Sequence, residues 1–196
     1  MKYNLVFCVL CVLFISCENT TEKSKAKTKK NQVTKSELMA SIQSLEDSLY
    51  TFNKVFNENA RSLDKKVRIA LETDISVARQ GLINRNITYY RSFPKDSLSV
   101  HCLMNLYHLY DEVQAYEKAV SYLDTIETNY PEFVLSIHLL ESKAVSLDYF
   151  IEPRDTSKIR VAYERLLEFP KLSIEKQKMY IDRLSNLDKG LEDIIP

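Results

Sequence analysis

Only two glycines, Gly81 and Gly190, occur in 196 residues, and tryptophan is absent. Two isolated glycines cannot build a phosphate loop or a dinucleotide-binding turn, and they leave little material for β-hairpins. Cysteine and histidine are also scarce, with four and three residues. Cys8 and Cys11 fall in an N-terminal apolar run. The remaining pair, Cys17 and Cys102, supports neither a disulfide framework nor a zinc set. Basic and acidic residues balance at 27 each, so no strong field of one sign marks the chain. What is abundant is hydrophobic residues (45%) and charged residues (28%), and their helical spacing points to an all-α domain of ordinary size behind a leader.

The leader is residues 1–17. Lys2 precedes an unbroken apolar run from Leu5 to Ile15, about half of the ~20 residues a spanning helix needs and the right length for a secretory h-region. It ends Leu13-Phe14-Ile15-Ser16-Cys17, which resembles the lipobox of bacterial lipoproteins, with Phe14 where that family usually carries leucine. The resemblance implies that Cys17 is acylated by palmitate-type chains and becomes the mature N-terminus; the alternatives are an ordinary signal peptide or an uncleaved anchor. Residues 18–35 follow as a polar stretch with six lysines against two glutamates and no apolar periodicity, expected to be a flexible tether with a reach of about 24 Å. Beyond it, residues 36–196 carry the compensating acidic excess. With no basic helix there, nucleic acid is not expected as a partner.

Leu38, Ile42, Leu45, Leu49, Phe52 and Phe56 are spaced 4, 3, 4, 3 and 4, a one-helix stripe that either packs on its own domain or self-associates. Apolar residues return at helical spacing from Val67 to Tyr90. Three aromatic-proline pairs, Phe93-Pro94, Tyr130-Pro131 and Phe169-Pro170, then punctuate the chain at intervals of 37 and 39 residues, within the range of helical-repeat periods. Counting back from Pro131 places Leu103, Leu106, Tyr110, Ala119 and Leu123 on the packing positions of the tetratricopeptide family, which this stretch resembles. The expected architecture is a short solenoid of helical hairpins. An N-terminal helix precedes units at about 74–94, 97–131 and 134–170, and a capping helix at 173–187 carries Ile174, Ile181 and Leu184 on its packed side. Tyr107 and Glu141 stand where the family has glycine. In whole-chain order the sequence is similar to tetratricopeptide-like lipoproteins of Gram-negative envelopes, which implies an outer-membrane anchor facing the periplasm.

That resemblance also implies a concave surface lined by His101, Met104, His108 and Asp111 in one unit and by Leu135, His138, Ser142 and Val145 in the next. Histidine on a docking surface makes capture sensitive to pH near neutrality. Catalysis is not expected. No G-x-S-x-G or H-E-x-x-H motif occurs, and His101 and His108, seven residues apart, stand ~10 Å apart along a helix, too far to share a metal. No cofactor is expected. Asp47-Ser48-Leu49, Asp96-Ser97-Leu98 and Asp124-Thr125-Ile126 resemble an envelope O-glycosylation sequon, although Asp96 and Ser97 also suit a helix cap. The expected function is an anchored scaffold that holds an unidentified envelope protein or peptide. The alternatives are a permanent structural subunit joined through the Leu38–Phe56 helix, or an enzyme or metal carrier if the histidines converge.

Each buried methylene of an acyl chain contributes ~0.8 kcal/mol to membrane attachment. Cys17→Ala is therefore expected to move the protein from the membrane to the soluble fraction on fractionation; unchanged partitioning would remove the lipoprotein reading.

Overall fold

The structure, a computed structural model, describes residues 33–59, 61–170 and 172–189. The leader, its Cys17 and most of the tether lie outside the described residues. Those described are all-helical: α1 Lys35–Asn59, α2 Lys65–Ser92, α3 Ser97–Asp111, α4 Tyr116–Asn129, α5 Ile137–Val145, α6 Thr156–Leu167 and α7 Ile174–Ser185. A π-helical turn, Ser146–Phe150, continues α5.

Helix starts follow local chemistry. Thr34 and Glu37 form a reciprocal capping box before α1. The side chains of Asp64, Asp96, Ser136, Asp155 and Ser173 accept amide hydrogens at the starts of α2, α3, α5, α6 and α7. Two aromatic-proline pairs end helices: Phe93 and Tyr130 are the C-caps of α2 and α4, and the following proline drives each toward extended backbone. The Tyr130 hydroxyl donates to the Pro94 carbonyl at 2.6 Å, so the end of α4 is bonded to the end of α2. Glycine is missing where the α3–α4 turn needs it, and Gln114 takes the left-handed conformation there, with φ of 60°.

α2 is continuous through Thr73-Asp74, because Thr73 bonds back to Ile69 within the helix and the nearest cap is Asp64. The helix expected within 74–94 therefore begins earlier, at Lys65, and packs against α1. Gly81 marks their contact: a Cβ there would stand 3.3 Å from Leu45 Cδ2. Leu38, Ile42 and Leu49 are buried, while Leu45, Phe52 and Phe56 are partly buried against the same core. Of the two readings of the stripe, the structure shows it packed on its own domain against α2.

The core continues through Leu103, Leu106, Ala119 and Leu123, all fully buried, with Tyr110 stacked on Tyr122 at 5.6 Å. Each large apolar side chain buried this way contributes about 1.5–3 kcal/mol. In the next hairpin Ala162 is buried and Lys158 exposed. Tyr107 of α3 is buried, and burial pushes the Cys102 thiol up to about 12, consistent with an inert core side chain.

The packed side of α7 differs from expectation. Ile174 and Ile181 are exposed and Leu184 half-buried, whereas Tyr180 and Arg183 face inward. Arg183 is drawn in by Asp148. The wide π-turn buries Ser146, Leu147 and Asp148 in succession, which the 100° step of an α-helix would not place on one side. Arg183 binds the Asp148 carboxylate through Nε and Nη2 at 2.6 and 2.7 Å. Arg154 binds Oδ1 through Nε and Nη2 at 3.1 and 2.6 Å, and Tyr163 donates to Oδ2 at 3.2 Å. The spare guanidinium nitrogens reach the carbonyls of Asn186 and Leu187 at 3.0 and 2.8 Å.

Burial raises the Asp148 pKa, but the bonds from Arg183 and Arg154 outweigh it and hold the carboxyl below its ordinary value. Glu141, bonded by Lys176 and Tyr180, is lowered in the same manner against a raising effect of burial. A depressed carboxyl stabilises the fold above its unfolded-state pKa and loses that contribution as pH falls through the folded value. The urea midpoint is therefore expected to be level from pH 7 to about 5 and to drop steeply below about pH 4; a midpoint unchanged at pH 3 would show that these pairs are not coupled to folding.

Candidate functional site: an inner row and an opposite trough

Polar bonds link alternate helices. Glu46 of α1 accepts from Asn105 of α3 at 2.7 Å, Tyr107 of α3 lies beside Ser142 of α5, and Glu141 of α5 is bonded by Lys176 and Tyr180 of α7. The odd-numbered helices thus present one row, and the residues expected to line a concave face fall on two of them.

Their placement divides the set. His101, His108, His138 and Ser142 are exposed, and Val145 is 38% exposed. Met104 is half-buried against the core, and Asp111 is half-buried. Leu135 is 1% exposed and belongs to the core, which corrects its assignment to the docking face. The reason is local: Ser136 caps α5 through the Leu139 amide, so the helix starts after Leu135, and the face counted from Val134 does not include it. Met104 likewise serves packing as much as surface.

His108 lines a shallow groove of about 240 Å³ with Glu46, Tyr50, Asn53 and Asn105, between α1 and α3. Tyr50 is 70% exposed and is the aromatic residue that sequence reasoning missed; it sits off the α1 stripe, between Leu49 and Thr51, with no periodic signal. Burial raises the Glu46 pKa against the opposing Asn105 bond. His138 Nδ1 lies 3.7 Å from Glu141 Oε2. Among the described residues no group of three or more His, Cys, Asp or Glu side chains is placed to hold a metal ion, and none of the helices is long and apolar enough to cross a membrane. Of the sequon-like hydroxyls, Ser48 and Thr125 bond helix carbonyls at 2.8 and 2.7 Å, and Asp96 caps α3.

A better-formed cavity, of about 370 Å³, lies elsewhere, between α4, α5 and α6. Its floor is Val120, Leu140, Leu147 and Ala162. Charges close one end: Lys143 of α5 reaches Asp124 and Glu127 of α4 at 2.6 and 2.8 Å, and Arg165 of α6 reaches Glu127 at 2.6 Å. Compared with protein-family models, curated proteins and solved structures, the chain matches none of them.

Proposed function

We propose that this chain is a lipid-anchored docking module of a bacterial envelope, held at the outer membrane through acylated Cys17 and facing the periplasm. In this reading the basic tether spaces a short tetratricopeptide-like array of hairpins from the lipid. The array holds a partner protein or peptide on its inner helical row and performs no catalysis. The order leader, tether and helical hairpins supports the address. The aromatic-proline punctuation and the Tyr130–Pro94 bond support the repeat.

The observation that carries the docking surface is the groove between α1 and α3, where exposed Tyr50 stands beside His108 over the Glu46–Asn105 bond. An exposed aromatic ring with a polar tip is a common anchor of protein interfaces. His101 and His138 extend the same row. Reading the chain as a subunit joined through the Leu38–Phe56 stripe is not retained, because that stripe is used internally.

A photo-reactive residue placed at Tyr50, His101 or His138 in native membranes tests the surface. Adducts of a common discrete mass are expected from these positions, and none from the exposed α2 residues Glu72 and Val77. Replacing Tyr50, His101, His108 and His138 together by alanine is expected to reduce a cross-link made from Asn53 at least tenfold. The melting temperature should move only by the small amount typical of surface substitutions, within about 0.5 kcal/mol each. Equal adducts from both sides, or a large loss of stability, would contradict the reading.

A further inference from the structure

The end of the α1–α2 hairpin stands clear of the rest of the fold. The last buried side chains before it are Leu49 on α1 and Ile75 on α2, and no described residue from 50 to 74 is buried. Lys65 therefore lies ten residues, or ~15 Å of helix, beyond the packed part of α2. From Asp64 to Ala70 every residue is exposed. Consecutive residues turn ~100° about a helix axis, so this run circles α2 more than once and no side of its first turn rests on protein.

The side chains shown there are basic and aliphatic. Arg61, Lys65, Lys66 and Arg68 carry four positive charges against the single negative charge of Asp64, whose carboxylate accepts the Lys66 amide at 2.8 Å. Among the described residues no ion pair holds Arg61, Lys65 or Lys66. The next acids on α2, Glu72 and Asp74, stand ~10 Å or more along the axis from Lys65, and Glu58 of α1 lies 4.0 Å from Lys54. The hairpin end is thus positive on a domain that is acidic as a whole.

The arrangement selects among partners. Val67 and Ile69 are each 52% exposed and, two residues apart, point to opposite sides of the helix. A flat rigid surface would meet one of them. A fluid headgroup layer closes around a projecting end and meets both, while lysine and arginine stems extend to the lipid phosphates. Residues 61–70 include no aromatic ring and no Asn or Gln side chain, which leaves nothing there to stack on bases or read them.

We propose that the end of the α1–α2 hairpin is a second membrane contact, made with the headgroup layer of an anionic phospholipid bilayer. Arg61, Lys65 and Lys66 meet lipid phosphates, and Val67 and Ile69 sit at headgroup depth. The root of α1 is at the opposite end of the hairpin, where Lys35 is paired with Asp96, the cap of α3. α1 is ~37 Å long, more than the ~24 Å reach of the tether, so contact at both ends lays the hairpin along the bilayer. The proposal rests on the membrane address given above, though not on the acylation of Cys17, and it uses neither Tyr50 nor the histidines of the inner row.

The test places the full chain in vesicles of phosphatidylcholine with a quarter phosphatidylglycerol and a trace of nitroxide-labelled lipid. It reads the quenching of a fluorescent amino acid put in place of Val67. Quenching there is expected to be at least threefold that at Val161 of α6, another exposed position, and to fall to the Val161 level in pure phosphatidylcholine. Arg61→Gln with Lys65→Gln and Lys66→Gln is expected to act as removal of phosphatidylglycerol does. Arg85→Gln with Arg91→Gln, exposed cations of α2 remote from the hairpin end, should leave quenching unchanged. All five side chains are exposed, so both variants should keep the melting temperature of the parent chain. Flotation of Cys17→Ala reads the lipid anchor separately, whereas the position and lipid dependence of quenching read the hairpin end. Equal quenching at 67 and 161, quenching independent of phosphatidylglycerol, or equal effects of the two variants would overturn the proposal.

Discussion

A carboxylate with no exposure to water must be answered in full, and Asp148 sets that requirement at the point where α5 ends. Two guanidinium groups and the Tyr163 hydroxyl meet it. Each partner arrives from a different part of the chain: Arg154 from the connection before α6, Tyr163 from α6, and Arg183 from α7. Removing one member of such a buried set typically costs about 3–5 kcal/mol, because the rest are left uncompensated. The nitrogens not used on Asp148 bind carbonyls that follow α7. One acid thereby holds the π-turn, the α6 hairpin and the terminal helix in register.

This constraint also shapes the cavity between α4, α5 and α6. Arg154 is turned toward Asp148, and the π-turn places Leu147 in the floor of that cavity while turning Asp148 inward. At the other end of the molecule, hydrophobic packing has the equivalent role. Gly81 admits Leu45 between α1 and α2, and the Glu46–Asn105 bond carries that pair onto α3. The inner groove lies on the hydrophobically assembled half and the cavity between α4, α5 and α6 on the charge-assembled half. The two surfaces consequently respond differently to salt and acid, since screening acts on ion pairs and much less on apolar contacts.

Much of the helical order was legible from local signals. Phe93-Pro94 and Tyr130-Pro131 marked helix ends because proline acts on its immediate neighbour, and Leu103, Leu106, Ala119 and Leu123 were expected in the core from the resemblance to the tetratricopeptide family. Registers set by distant partners were not. Arg183 read as surface because its charge is neutralised only by a residue 35 positions away, and Ile174 and Ile181 were consequently taken for the packed side of α7. Leu135 was assigned to a docking face because the cap at Ser136 shifts the start of α5. The α1 stripe was compatible with two partners, and only the contact at Gly81 identifies α2. Nothing in sequence order announced the cavity between α4, α5 and α6, whose walls come from three separate helices.

The central claim is that the Asp148 cluster, more than apolar burial on α7, fastens the terminal helix to the hairpins. Hydrogen exchange resolved by segment in the Asp148→Asn chain tests it most directly. The amides of α7 and of residues 146–155 should exchange at least tenfold faster than in the parent chain, a change of about 1.4 kcal/mol or more in local opening, while those of α1 to α4 keep their protection. Unchanged protection in α7, or a uniform loss along the whole chain, would contradict it.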